Sequence, residues 1–233
     1  MNYQIDAPGS AIRTTVKLPA SKSISNRALI LNALSYSAYD VENLSDCDDT
    51  NLMVKALNSN DRDFNVGAAG TTMRFLTAFL SKVVGEWTIT GTERMKNRPI
   101  KVLVDALNAL GARIEYMEKE GYPPLRIFGS ALQGGEISLP GNVSSQYISA
   151  ILMIAPLTEN GVTLHLEGAI ISRPYIHITL QLMEQYGVRA SWTENTIKVL
   201  PQEYKPIRFT VESDWSAASV SYTHLRAHET PEH

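Results

Sequence analysis

The chain of 233 residues has a single cysteine, Cys47, so it holds no internal disulfide and no cysteine-rich zinc site. It has no long apolar run. The longest, around 148–156, is far too short to span a bilayer. The N-terminal stretch lacks the basic start and apolar centre of a signal peptide. Excess charge is also missing: the formal net charge is −3, which gives no global basic field for nucleic acid. These absences predict a cytoplasmic protein with neither membrane nor nucleic acid as partner. Any anion site must be built locally, from a few residues.

Short runs rich in β-branched residues, bounded by Gly or Pro, predict strands at 13–18, 87–90, 113–116, 125–128, 136–139, 163–166, 189–192 and 197–200. Apolar residues at helical spacing predict helices at 25–34, 50–57, 71–80, 100–110, 145–154 and 175–186. Gly111 and Gly187 stand just past two of these helices, where a left-handed cap residue belongs.

Aligning the helix starts exposes a repeat. One series opens on Ala20-Ser21-Lys22-Ser23, Gly70-Thr71-Thr72 and Val143-Ser144-Ser145-Gln146; the other on Asp49-Thr50, Arg98-Pro99 and Arg173-Pro174. The interval from Lys22 to Thr71 equals that from Thr50 to Pro99. The interval from Thr71 to Ser145 is one residue shorter than that from Pro99 to Pro174. Matching both series predicts an α/β (α+β) fold of three repeated βαβαββ units.

The first series is dense in Ser, Thr and Gly. Free N–H groups and the positive end of the helix dipole make such starts natural anion sites, although Ser and Thr are also ordinary N-caps. Three repeated starts with Lys22, Arg27, Arg98 and Arg173 nearby favour the anion reading. Arg98 and Arg173 each precede a proline read as opening a helix, which would aim a guanidinium beside the helix N-terminus. For Arg74, inside a helix, a structural ion pair and a ligand contact stand equally open. Asp46, Asp48 and Asp49 lack the glycine and distal glutamate of a calcium loop, and read as N-cap and first-turn acids. His165 and His177 read as isolated surface residues. The segment 67–70 lacks the glycine spacing of a nucleotide loop.

The string Leu18-Pro19-Ala20-Ser21-Lys22-Ser23-Ile24-Ser25-Asn26-Arg27 closely resembles the opening signature of 5-enolpyruvylshikimate-3-phosphate synthases. So do Ala69-Gly70-Thr71-Thr72-Met73-Arg74, Arg94-Met95-Lys96-Asn97-Arg98-Pro99-Ile100, Ser144-Ser145-Gln146-Tyr147 and Ser172-Arg173-Pro174-Tyr175-Ile176. The related UDP-N-acetylglucosamine enolpyruvyl transferases share the repeated fold but not the Ser-Lys-Ser-x-Ser-x-Arg string. Two positions depart from the family pattern: Ala68, where many members carry Asn, and Phe75, where many carry Pro.

The resemblance implies a transferase moving the enolpyruvyl group of phosphoenolpyruvate to the 5-hydroxyl of shikimate 3-phosphate, with release of phosphate. No cofactor or metal is implied, and family members are typically monomeric. It implies that Lys22, Ser23, Arg27, Ser144, Ser145, Gln146, Ser172 and Tyr175 bind shikimate 3-phosphate, and that Lys22, Gly70, Arg98 and Gln146 bind phosphoenolpyruvate. It implies one domain of the enolpyruvyl transferase fold, with its helices around a pseudo-threefold axis. Family members close two such domains around the substrates, and the acid–base groups are expected in the second. On this reading residues 1–20 belong with that second domain, 21–219 form the first domain and crossover, and 220–233 lie outside the family pattern. The chain alone is then expected to lack turnover. The histidines at 224, 228 and 233 miss zincin spacing, and Pro231 disfavours the helix such a site needs. The alternative from a different class is a non-catalytic phosphate- or anion-binding module.

Overall fold

The structure, a computed structural model, describes residues 15–226. In chain order its elements are α1 (Lys22–Leu34), β1 (Val41–Glu42), α2 (Asp48–Leu57), β2 (Asp63–Asn65), α3 (Gly70–Lys82), β3 (Gly85–Thr90), α4 (Glu93–Lys96) and α5 (Lys101–Ala109). There follow β4 (Arg113–Tyr116), β5 (Leu125–Gly129), β6 (Gly135–Pro140), α6 (Ser145–Ile154), β7 (Val162–Glu167) and α7 (Arg173–Gln185). The chain ends in β8 (Ala190–Thr193), β9 (Thr196–Val199), β10 (Phe209–Thr210) and α8 (Trp215–Arg226).

The repeat is visible in the sheets. One four-stranded sheet runs β2-β3-β5-β4 and the other β6-β7-β9-β8. In each, the first pair is parallel and the next two are antiparallel. These are two complete copies of the predicted unit. The remaining unit is represented by α1, β1 and α2, and β1 pairs in parallel with β10 from the far end of the chain, Val41 opposite Phe209. The strand expected over 13–18 does not form across its described part, 15–18. Instead Ala20 bridges Ser213, Ser21 N–H donates to the Glu212 carbonyl, and Asp214 N–H donates to that of Pro19.

The helices form an inner and an outer set. In the inner set α1, α3 and α6 pack on one another. Their sequences say why. Helix α6 reads SQYISAILMI, apolar on nearly every side, as a core helix must be. Everything in it except Gln146 is buried; in α3 only Phe79 and Lys82 escape burial. Helices α2, α5 and α7 cover the outside with one apolar stripe each, such as Leu103, Val104, Ala106 and Leu107 of α5. Gly111 and Gly187, at φ of +99° and +87°, supply the left-handed turns that end α5 and α7. Asn108 reinforces the first of these, accepting from Ile114 N–H and donating to its carbonyl. Among the described residues no helix is long and apolar enough to cross a membrane.

Gly129 closes β5 against the end of α3. A Cβ there would lie 1.7 Å from the Val83 carbonyl oxygen and 2.4 Å from that of Leu80, both backbone atoms. Gly129→Ala is therefore expected to destabilise the chain by at least about 2 kcal/mol, as overpacking against rigid neighbours does. Equilibrium urea unfolding measures this directly; a loss below about 0.5 kcal/mol would show that strand and helix separate easily.

Candidate functional site

Four helices begin at one end of the inner set, and a run of contacts ties their starts together. Lys22, first residue of α1, places Nζ 3.6 Å from Asp49 Oδ2 in the first turn of α2. Asp49 Oδ1 accepts from the backbone N–H of Thr71 at the start of α3, at 2.9 Å. The Asp49 carbonyl accepts from Thr72 Oγ1 at 2.6 Å. Thr71 Oγ1 in turn accepts from Gln146 Nε2 at the start of α6, at 3.0 Å. Lys22, Gly70 and Gln146, far apart in sequence, thus stand around one convergence of helix N-termini.

Arg98 joins them at Gly70. A Cβ on Gly70 would fall 2.5 Å from one terminal nitrogen of Arg98 and 2.6 Å from one of Arg74, so two guanidinium groups crowd a position that only glycine leaves open. Arg74 is buried. It donates to its own Gly70 carbonyl and lies over the Tyr147 ring, but its Nε–H has no partner. The question the sequence left open is settled against an ion pair: among the described residues neither Arg74 nor Arg98 pairs with an acid, and of this group only Lys22 does, through Asp49. The Arg98 pKa is lowered, first by desolvation and then by the like charges of Arg74 and Arg94, with Asp49 opposing. Two cations side by side with an orphaned N–H favour an anion between them.

Arg98 reaches this place by another route than the one expected. Its proline does not open the helix: α5 starts at Lys101 with Ile100 as N-cap, and Arg98 lies in the turn after α4. The Pro99 carbonyl is held by Tyr147 Oη at 2.7 Å. Arg173 does open α7, with Pro174 in the first turn, but its guanidinium stacks on Trp192.

Arg27 lies deeper, 2% exposed. It donates to Thr179 Oγ1 at 2.7 Å, to the Ser23 carbonyl at 2.8 Å, to Ser149 Oγ at 2.9 Å and to the Tyr175 carbonyl at 3.5 Å, with Phe75 under its plane. Burial pushes its pKa down to about 10, so it remains a cation at neutral pH without any carboxylate beside it. Ser149 and Thr179, which bond to each other at 2.8 Å, were absent from the sequence reading. The available signal was a lone serine inside the otherwise hydrophobic run YISAILMI.

Ser144 caps α6, accepting from Gln146 N–H, and is exposed, while Ser145 is buried beside it. Ser172 is the N-cap residue of α7 but makes no side-chain cap bond, and Tyr175, one turn on, is 44% exposed. Asp48 and Asp49 take the expected first-turn places in α2, and Asp46 accepts from Asn51. Among the described residues no group of three or more His, Cys, Asp or Glu could hold a metal ion; His228 and His233 lie outside those residues.

Fold and site together define an α/β protein of repeated βαβαββ units with a cluster of cationic side chains at its inner helix starts. The sequence matches the family model of EPSP synthase (3-phosphoshikimate 1-carboxyvinyltransferase) over residues 7–60 and 58–223, and the chain belongs to that family. It is 60% identical over 223 residues to a 3-phosphoshikimate 1-carboxyvinyltransferase of Bacteroides fragilis, covering 95% of this chain and 54% of that protein. It is 43% identical over 241 residues to the Vibrio campbellii protein of the same name, covering 91% of this chain and 57% of the relative. The chain thus spans about half the length of the curated relatives it matches. The solved EPSP synthase from Acinetobacter baumannii shares the fold with a TM-score of 0.77 at 21% identity, over 88% of this chain and 51% of that one.

At Gly70 the atoms that a methyl group would meet are the far ends of flexible side chains. Gly70→Ala is expected to fold with a melting temperature within about 4 °C of the parent. Displacement of both guanidinium groups should weaken the binding of inorganic phosphate by about tenfold or more, measured by calorimetric titration. Unchanged affinity would remove Arg74 and Arg98 from the site.

Proposed function

We propose that this chain carries the phosphate-binding part of a 3-phosphoshikimate 1-carboxyvinyltransferase, the shikimate-pathway enzyme that joins phosphoenolpyruvate to shikimate 3-phosphate. The observation that carries the reading is the crowding of Arg74 and Arg98 over Gly70 in the first turn of α3, with Lys22 tied to the same turn through Asp49, in a member of this family. Cations and free helix N–H groups at one point suit a ligand bearing both a carboxylate and a phosphate.

Lys22, the Gly70 backbone, Arg98 and Gln146 hold phosphoenolpyruvate on this reading. Ser144, Ser145 and Ser172 hold the phosphate of shikimate 3-phosphate, with Ser23, Gln146 and Tyr175 along the ring and Lys22 between the two ligands. Arg27 backs that site with its charge from beneath, its N–H groups already on protein acceptors. The reaction adds the 5-hydroxyl oxygen to C2 of phosphoenolpyruvate while the methylene carbon takes a proton. The hydroxyl's proton leaves in this addition; loss of a proton from the resulting methyl group, together with inorganic phosphate, then restores the methylene and leaves the enolpyruvyl ether. Nothing in this sequence needs a covalent link to the protein, so positioning and charge stabilisation supply the catalysis. Proton transfer needs acid–base groups. We assign those to the part of the relatives' length that this chain does not span, and expect no turnover from the chain alone.

Calorimetric titration of the chain with shikimate 3-phosphate, shikimate and unrelated sugar phosphates tests the assignment. Shikimate 3-phosphate should bind at least about tenfold more tightly than shikimate and than the sugar phosphates, and the preference should vanish in the Ser144→Ala/Ser145→Ala double variant. Equal affinity for every phosphorylated ligand would instead establish a general anion-binding module. Turnover by the pure chain would overturn the placement of the acid–base groups.

A further inference from the structure

Asp49 sits where an acid in the first turn of a helix is ordinarily stabilised by the helix dipole, and on sequence grounds its role ends there. Its contacts extend further. Oδ1 takes the Thr71 N–H at the start of α3, and Oδ2 faces Lys22 Nζ at 3.6 Å, beyond hydrogen-bond reach but within ion-pair range. The same charge bears on Arg98, supporting its cationic form against desolvation and against Arg74 and Arg94. One carboxylate therefore engages a helix N–H, an ammonium and the field of a guanidinium. Those are the three kinds of group that an arriving anion would use.

The pair with Lys22 is loose and unequal. The Lys22 side chain is 47% exposed and that of Asp49 only 18%, so the ammonium can swing to a ligand while the carboxylate stays fixed by Thr71 and by the backbone contact to Thr72. A fixed negative charge next to an anion site repels what binds there, and at a few ångströms in a half-buried setting that repulsion is substantial. Without a ligand the same charge offsets the mutual repulsion of the cations.

We propose that Asp49 is a resident counter-anion of this site: it partly offsets the charge of the cations around it, and ligand binding proceeds by transfer of Lys22 from Asp49 to the incoming anion. The proposal rests on the anion-site reading given above. Asp49 thereby limits affinity and sets how much negative charge the site accepts. Its removal should improve anion binding, where loss of an orienting residue would impair it.

The test is calorimetric titration of the full chain with phosphoenolpyruvate and with inorganic phosphate, at low and high potassium chloride, for the parent, Asp49→Asn, Lys22→Met and the double variant. Asparagine keeps an oxygen for the Thr71 N–H, and thermal melting confirms the fold. Asp49→Ser, which offers a hydroxyl oxygen there, serves should the asparagine variant fail to fold. Asp49→Asn is expected to tighten phosphoenolpyruvate binding on the order of tenfold, with a gain that shrinks at high salt and is largely lost when Lys22 is methionine. Unchanged or weaker binding by folded Asp49→Asn overturns the proposal and leaves the anion site standing. Absence of binding by both the parent and the folded variant overturns the proposal and the anion-site reading together.

Discussion

The buried guanidinium of Arg27 constrains how the helices of this chain can meet. Its donors reach Ser149 on α6 and Thr179 on α7, its own turn of α1 through Ser23, and the first turn of α7 through Tyr175, while its plane lies over Phe75 of α3. All these acceptors are neutral. They satisfy the N–H groups but do not cancel the charge, and a buried ion left unpaired costs several kcal/mol. The depressed pKa expresses that cost. Helix–helix packing offsets it: α6 is apolar on nearly every side, and α3, although richer in Thr, is almost wholly buried against β3, β5, α1 and α6. With Arg27 fixed, the starts of α1, α6 and α7 hold a set register, and the site at those starts inherits their geometry.

The distribution of acids follows from the same arrangement. Carboxylates meet Lys and Arg on the exposed surface, as in Lys96–Glu118, Lys101–Glu120 and Arg113–Glu115, where such pairs contribute little to stability. At the helix starts the balance reverses: among the described residues Arg27, Arg74 and Arg98 have no acid, and Lys22 has one. A chain of net charge −3 thereby presents a locally positive cluster. Net charge excluded a global basic field, yet it was silent about this local one, because electrostatics at a few ångströms depends on which residues topology brings together.

That distinction explains what was legible in the sequence. Helix 145–154 and strand 113–116 fell where apolar spacing and β-branched content put them, and the equal offsets between helix starts foretold the matching strand orders of the two sheets. The two- and three-residue strands β1, β2 and β10 were missed, since pairing rather than local pattern defines them; Val41 finds its partner at Phe209. Strand 13–18 was expected on composition, but over 15–18 no neighbouring strand completes it. At the site, Lys22, Gly70, Arg98 and Gln146 were legible through short motifs. Ser149, Thr179 and the bridging role of Asp49 were not, because each acts across a helix–helix contact that no local window contains.

Glycine at position 70 shows how site and scaffold limit each other. The position must be small because two guanidinium groups lie over it, at the N-terminus of α3. Arg74 is held from the other side by the Tyr147 ring, and Tyr147 is anchored to the Pro99 carbonyl, next to Arg98. The ring that packs the core therefore also sets the spacing of the two cations. A larger residue at 70 would not be absorbed by moving one side chain alone, since Arg74, Tyr147 and the turn bearing Arg98 form a closed circuit of contacts. These contacts hold two like charges close together, a repulsion that apolar packing and the Asp49 carboxylate help to offset.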